Sequence, residues 1–194
     1  MRKARIAFRF GYYGDCFHGS QVQPDVPTVQ GTFMHIFKKK LKWTHERMPV
    51  TFSSRTDSGV HVRLNGGFID IDLERWEAMG ESGFVKAVGH QIPKSISLFD
   101  AREVAGDWSP RRALNRTYRY RMECMEGWIE PELKAFTELC SLFEGQHDWS
   151  NFCRREPNRT TIRTVEFCRP WINSGRILGF EINATGFVRG DSKH

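Results

Sequence analysis

The chain of 194 residues is long enough to bury a substantial core, as one domain or as two small ones. A mean hydropathy of −0.53, with no apolar run near the roughly 20 residues that span a bilayer, excludes a bundle of membrane helices and predicts a globular chain. The net charge of +6 and aromatic content of 13% suit a protein that meets a polyanion and stacks on bases.

Ile6, Phe8, Phe10 and Tyr12 alternate with Arg5, Ala7 and Arg9, the period of a half-buried strand with a basic or small outer face. Thr28 can cap a helix whose apolar positions Val29, Phe33, Ile36, Phe37 and Leu41 lie three or four apart. Strands are expected near 50–53 and 67–72, then a helix carrying Trp76, Met79, Phe84 and Val88, then a strand near 95–104. The first half therefore reads β-α-β-β-α-β. The second begins in the same manner, with Tyr118, Tyr120 and Met122 alternating against Thr117, Arg119 and Arg121. Pro131 opens a helix with Leu133, Phe136, Leu139, Cys140 and Phe143 on one face, and strands follow near 161–168 and 177–184. The fold class is α+β, built from two repeated β-α-β-β-type halves with mixed or antiparallel sheets, a first domain over 1–105 and a second over 106–194. If the halves are repeats, the second is incomplete, wanting a helix and a final strand after Phe187. An exposed edge strand near 177–184 would then be the weak point.

The run SSRTDSGVHV over residues 53–62 places one carboxylate, Asp57, in a tight loop just after the cationic Arg55. Thr56, Ser58 and Gly59 beside it predict that backbone N–H groups and hydroxyls hold the carboxylate ionised and aimed, as a nucleophilic or base-acting aspartate requires. The tripeptide Asp-Ser-Gly alone is also ordinary turn chemistry. FGYYGDCFHGS, residues 10–20, follows a strand but lacks both G-x-x-x-x-G-K-(S/T) and G-x-G-x-x-G, so no nucleotide cofactor is expected. Five cysteines without a C-x-x-C pair and seven scattered histidines predict neither a disulfide framework nor a metal site. The start, MRKARIAFRF, lacks the apolar core of a signal peptide, and a cytoplasmic location is expected.

Arg55-Thr56-Asp57-Ser58-Gly59-Val60-His61 resembles the RTD(A/S)GVH signature of the TruA-type tRNA pseudouridine synthases, in which the aspartate is the one catalytic carboxylate. Three further stretches agree with that family in order and approximate spacing. They are residues 13–23 with Thr28-Val29-Gln30-Gly31, then Arg116-Thr117-Tyr118-Arg119-Tyr120, then the run GQHDWSNF over 145–152. The resemblance implies a pseudouridine-synthase fold, with two RRM- or ferredoxin-like halves forming a central RNA-binding cleft. It implies isomerisation of uridine to pseudouridine on the 3′ side of the tRNA anticodon stem-loop, with tRNA as partner and no metal, redox group or nucleotide cofactor. A homodimer is the family's common assembly and a weaker expectation for this chain.

The resemblance also implies roles, residue by residue. Asp57 acts on the flipped uridine, as a nucleophile or as a base; both remain open. Arg55, two positions earlier, fills the space left by the flipped base and meets phosphate, or else forms a structural ion pair. Tyr118 stacks on the uracil and reaches toward the aspartate, where an aromatic in a strand would ordinarily be core. Arg111, favoured over Arg112, and Arg116 contact phosphates, with Arg119 and Arg121 extending the same basic stretch. Gln21 and Gln23 line the cleft, Lys38-Lys39-Lys40 are either a solvated face or an electrostatic contact to the tRNA arm, and His61 holds the loop. The resemblance implies that the family continues past its Gly-Phe step into a helix whose arginine pairs with the aspartate; here Gly186-Phe187-Val188-Arg189-Gly190 passes directly into Asp191-Ser192-Lys193-His194, and Arg189 falls before the expected position, which makes it the less favoured reading for a substitute. The alternative reading is a tRNA-binding relative that has lost its chemistry; an unrelated hydrolase would need a second positioned acid or base.

Overall fold

The computed structural model describes residues 2–153 and 160–187. Its contacts divide the chain into two compact units, Met1–Arg112 and Ala113–His194. The α+β class holds: each unit is built on one four-stranded sheet, every observed pairing is antiparallel, and helices supply the rest. Among the described residues no helix is long and apolar enough to cross a membrane.

The first unit runs β1 (Lys3–Tyr12), α1 (Val29–His35), β2 (Val50–Phe52), β3 (Val62–Asp72), α2 (Leu73–Gly89) and β4 (Ile96–Val104). This is the β-α-β-β-α-β order expected from periodicity, with strands arranged β2-β3-β1-β4. Thr28 caps α1, its hydroxyl accepting from the Gly31 N–H at 3.2 Å. The helix then widens into a π turn over Ile36–Lys40, closed by Leu41 N–H donating to the Ile36 carbonyl. Inside α2, Gly80 leaves helical geometry (φ 58°, ψ −169°) and breaks the helix into two segments.

The alternation in β1 sorts its side chains as predicted. Ile6, Phe8 and Phe10 are fully buried against Phe33 and Phe37 of the α1 region and Phe84 of α2. Ring centroids lie 5.0 Å apart for Phe10 and Phe33, 4.7 Å for Phe10 and Phe52 and 5.3 Å for Phe8 and Phe33, within the range where aromatic pairs attract beyond simple burial. On the opposite face, Arg5 makes a bidentate pair with Asp70 at 2.8 Å and lies over the Phe68 ring, and Arg9 pairs with Asp100.

The second unit contains β5 (Arg116–Arg121), α3 (Leu133–Ser141), β6 (Gly145–Asp148), β7 (Ile162–Asn173) and β8 (Arg176–Ala184), ordered β5-β8-β7-β6. Glu132, one residue after Pro131, is the cap of α3. Its carboxylate accepts from the Ala135 and Lys134 N–H groups, which hold it below the usual carboxylate range. Two expectations are corrected. A short strand, β6, was not anticipated, because Gly145-Gln146-His147-Asp148 has neither apolar alternation nor β-branched residues. The strand over 177–184 is not an edge: β8 sits between β5 and β7, and among the described residues the outer strands are β5 and β6. In the first unit β1 is bracketed by β3 and β4, whereas β5 among the described residues pairs with β8 alone.

A smaller core joins Phe136 and Cys140 of α3 to Val165, Cys168, Ile177, Ile182 and Ala184. Burial pushes the Cys168 thiol up to about 12, reinforced by the adjacent Cys140, and burial likewise raises Cys140. Because the thiolate is the reactive form, alkylation at pH 8 to 9 is expected to modify the exposed Cys16 and Cys124 first. Peptide mass spectrometry after brief iodoacetamide treatment should find Cys140 and Cys168 unmodified until the chain is unfolded; early labelling of either would contradict this packing.

Candidate active site loop and its scaffold

β2 ends at Phe52 and β3 begins at Val62, so residues 53–61 form the connection that carries the Arg55 to His61 run. The last sheet bond is Ser53 N–H to the Gly66 carbonyl at 2.8 Å. Beyond it the loop leans on the segment following β1. The Tyr12 ring is buried beside Phe10 and Phe17 while its hydroxyl shares a 2.7 Å hydrogen bond with the Thr56 hydroxyl. Ser58 Oγ donates to the Phe17 carbonyl at 3.3 Å. At the far end His61 Nδ1 accepts from the Gly14 N–H at 3.3 Å, leaving Nε2 to face the Asp15 carboxylate at 3.5 Å. His61 thus ties the loop to the 13–15 turn.

Gly14 and Gly19 of the 10–20 stretch are explained by this contact. A Cβ on Gly14 would fall 2.4 Å from the Val60 carbonyl group. Gly19, at φ +92°, lies where a Cβ would be 3.0 Å from the Thr56 carbonyl oxygen. Backbone is packed on backbone, and side chains are excluded.

Asp57 and Arg55 are both exposed. Among the described residues the Asp57 carboxylate has no hydrogen bond or ion pair, and Arg55 forms no ion pair. The predicted cradle of hydroxyls is therefore corrected: Thr56 turns its hydroxyl to Tyr12 and Ser58 to Phe17, so both anchor the loop and leave the carboxylate presented outward. Gln21 is exposed directly after the buried Ser20, and Gln23 bonds back to the His18 carbonyl. Arg111 sits in a short 3-10 turn, Pro110–Arg112, that packs on β2 and β3, the strands bracketing the loop. The first unit thus contains Asp57, Arg55, Gln21 and Arg111.

Arg116 and Tyr118 belong to the second unit, on β5. Tyr118 is half-buried with its ring 4.6 Å from Phe187, in register with Ile182, and Arg116 is half-buried opposite Ala184. Two arginines of the basic stretch are taken by local acids. Arg119 donates to Glu181 at 2.5 Å, and Arg121 to Glu123 at 2.7 Å. Burial works to raise Glu181, but hydrogen bonds from Arg169 and Arg119 outweigh it and hold the carboxyl below its usual range. Arg189 lies outside the described residues. Among the described residues no three or more His, Cys, Asp or Glu side chains converge to hold a metal ion. A cleft of about 410 Å³ in the first unit is lined by α1-region residues such as Thr28, His35 and Lys40 and by no residue of the 53–61 loop.

No family model matches the chain. Curated proteins do. Each of three is named tRNA pseudouridine synthase A: that of Methanopyrus kandleri is 35% identical over 84% of this chain, that of Archaeoglobus fulgidus 33% over 78%, and that of Halalkalibacterium halodurans 30% over 95%. The chain spans 57%, 51% and 73% of their respective lengths.

The scaffold makes a stability prediction. Gly14→Ala must displace the Val60 backbone and is expected to cost about 3 kcal/mol, the upper end for overpacking. Gly59→Ala meets no neighbouring atom but keeps a φ of +78°, and is expected to cost about 1 kcal/mol. Urea unfolding of both variants checks the order; equal costs would contradict the backbone contact.

Proposed function

Because the chain belongs to the TruA-type tRNA pseudouridine synthase family, we propose that it isomerises uridine to pseudouridine in the anticodon stem-loop of tRNA, with Asp57 as the catalytic carboxylate. The observation that carries the reading is the Asp57 loop itself. The family-like run is held at Thr56, Ser58 and His61 and presents Asp57 outward.

The reaction is an isomerisation, so nothing is added or lost. The bond from ribose C1′ to uracil N1 breaks, the ring turns, and a bond from C1′ to C5 forms; the C5 proton leaves and N1 gains one. A carboxylate serves this chemistry either by attacking C1′ or the ring, or by removing the C2′ proton. In each case the uridine must first leave its stack, at a cost of a few kcal/mol. Arg55, two residues from Asp57, suits the space vacated by the base and a nearby phosphate. Arg111 and Arg116 suit backbone phosphates, Gln21 a polar contact beside the loop, and Tyr118 a stacking surface for the uracil. The net charge of +6 favours association with tRNA.

One observation favours the second reading, a tRNA-binding relative without chemistry: among the described residues no cation pairs with Asp57. Conversion of an unmodified anticodon stem-loop, mapped by pseudouridine-specific chemistry, separates the two. The unaltered chain is expected to convert its target and Asp57→Ala to leave it unconverted while still binding. Binding without conversion by the unaltered chain would support the second reading. Arg55→Ala is expected to weaken binding and to lower the slope of log K against log salt by about 0.7 to 0.9, the loss of one phosphate contact.

A further inference from the structure

Where β2 stops, the backbone of the loop needs new partners, and two buried polar side chains provide them. Asn65, in β3 and 5% exposed, addresses Ser54 with both ends of its carboxamide: Oδ1 accepts from Ser54 N–H at 3.3 Å and Nδ2 donates to the Ser54 carbonyl at 3.1 Å. The same Oδ1 accepts from Gly66 N–H at 2.9 Å, which fixes the amide's orientation. Ser20, 1% exposed, does the equivalent for Thr56. Its hydroxyl oxygen accepts from Thr56 N–H at 2.8 Å, and its own N–H donates to the Thr56 carbonyl at 3.0 Å.

Ser54 and Thr56 are two residues apart, and each has both its N–H and its carbonyl engaged by the scaffold. That is the pattern of alternate residues along one side of a β ladder, with side chains standing in for the missing strand. Arg55 lies between them and Asp57 follows Thr56, and both are exposed. The clamps therefore hold the residues on either side of Arg55, the second of which immediately precedes Asp57, and they form no hydrogen bond with either functional side chain.

We propose that Asn65 and Ser20 are positioning residues that fix the direction and depth at which Asp57 meets the uridine. The proposal rests on the catalytic reading of Asp57. Burial supports it: an amide and a hydroxyl this deeply enclosed need their partners satisfied, so the loop backbone is held wherever they sit. A carboxylate without a hydrogen bond of its own among the described residues depends on its backbone for aim. A displacement of about 1 Å at a reacting group can cost about 100-fold in rate.

The test measures kcat and KM on an anticodon stem-loop for Asn65→Ala, Ser20→Ala and Ser20→Thr, with Asp57→Ala and Thr44→Ala alongside. Thr44 is equally buried, with its hydroxyl engaged by Glu46 N–H and no bond to the loop, and it controls for loss of stability alone. Both clamp deletions are expected to lower kcat by about 10 to 100-fold with KM changed by less than about 3-fold. Ser20→Thr, which keeps the acceptor, should recover most of the rate, and Thr44→Ala should leave kcat unchanged at a temperature where it is folded. Should Asn65→Ala not fold, Asn65→Asp keeps the acceptor for Ser54 N–H, loses the donor to its carbonyl, and is expected to lower kcat in the same way. Folded clamp variants with unchanged kcat, or a loss confined to KM or matched by Thr44→Ala, would overturn the positioning role while an inactive Asp57→Ala left the catalytic reading intact. Activity persisting in Asp57→Ala, or absent from the unaltered chain, would overturn the catalytic reading and the positioning role with it.

Discussion

The first unit is organised around one constraint: a loop that must be exposed to present Asp57 still carries backbone N–H and carbonyl groups that need partners. The β2–β3 ladder cannot provide them, because its last bond is at Ser53. The chain meets the need by laying residues 11–20 along the loop, so closely that Gly14 and Gly19 leave no room for a side chain. Bonds from Tyr12, Phe17 and Gly14 then reach Thr56, Ser58 and His61 in turn. The sequence of those ten residues, which superficially suggests a phosphate loop, is the imprint of a backbone contact.

Magnitudes show why such a loop needs a rigid platform beneath it. A hydrogen bond contributes about 1 kcal/mol net, and ordering the backbone of one residue costs about 1–2 kcal/mol. No single tether can hold residues 53–61. Their order depends on several tethers anchored to elements that do not move, and burial of one phenylalanine is worth about 1.5–3 kcal/mol. Phe8, Phe10, Phe33, Phe37 and Phe84 are all fully buried and in mutual contact. Tyr12 transmits that rigidity directly, its ring in the aromatic cluster and its hydroxyl on Thr56.

Periodicity made most of this fold readable. The alternation of Ile6, Phe8 and Phe10 and the spacing of Val29, Phe33 and Phe37 led straight to the core. The failures have physical causes. β6 is polar, its strand character imposed by pairing with β7, which no local pattern records. The edge was misplaced because strand order is a long-range property, and β8 gained a neighbour on each side. Asp57 and Arg55 are visible through their motif, but the direction of the hydroxyls is not: Thr56 and Ser58 adjoin the carboxylate in sequence, whereas each serves the scaffold. Ser20 and Asn65 gave no signal, since a serine beside a glycine and an asparagine before two glycines read as turn residues. Burial alone distinguishes them.

The second unit answers a different electrostatic problem. Its polar face carries Arg119 and Arg169 on either side of Glu181, a carboxylate only 7% exposed. Burying that acid unpaired would be costly. Two guanidiniums, one stacked 5.4 Å from Trp171 and the other 4.5 Å from Phe167, keep it ionised and tie β5, β8 and β7 together across the sheet. The arginines of β5 thus do structural work that their spacing alone would assign to phosphates. Arg121 is similarly drawn to Glu123. Basic character in this sheet is therefore first a condition of its own stability, and only the charge beyond that requirement is available to a polyanion.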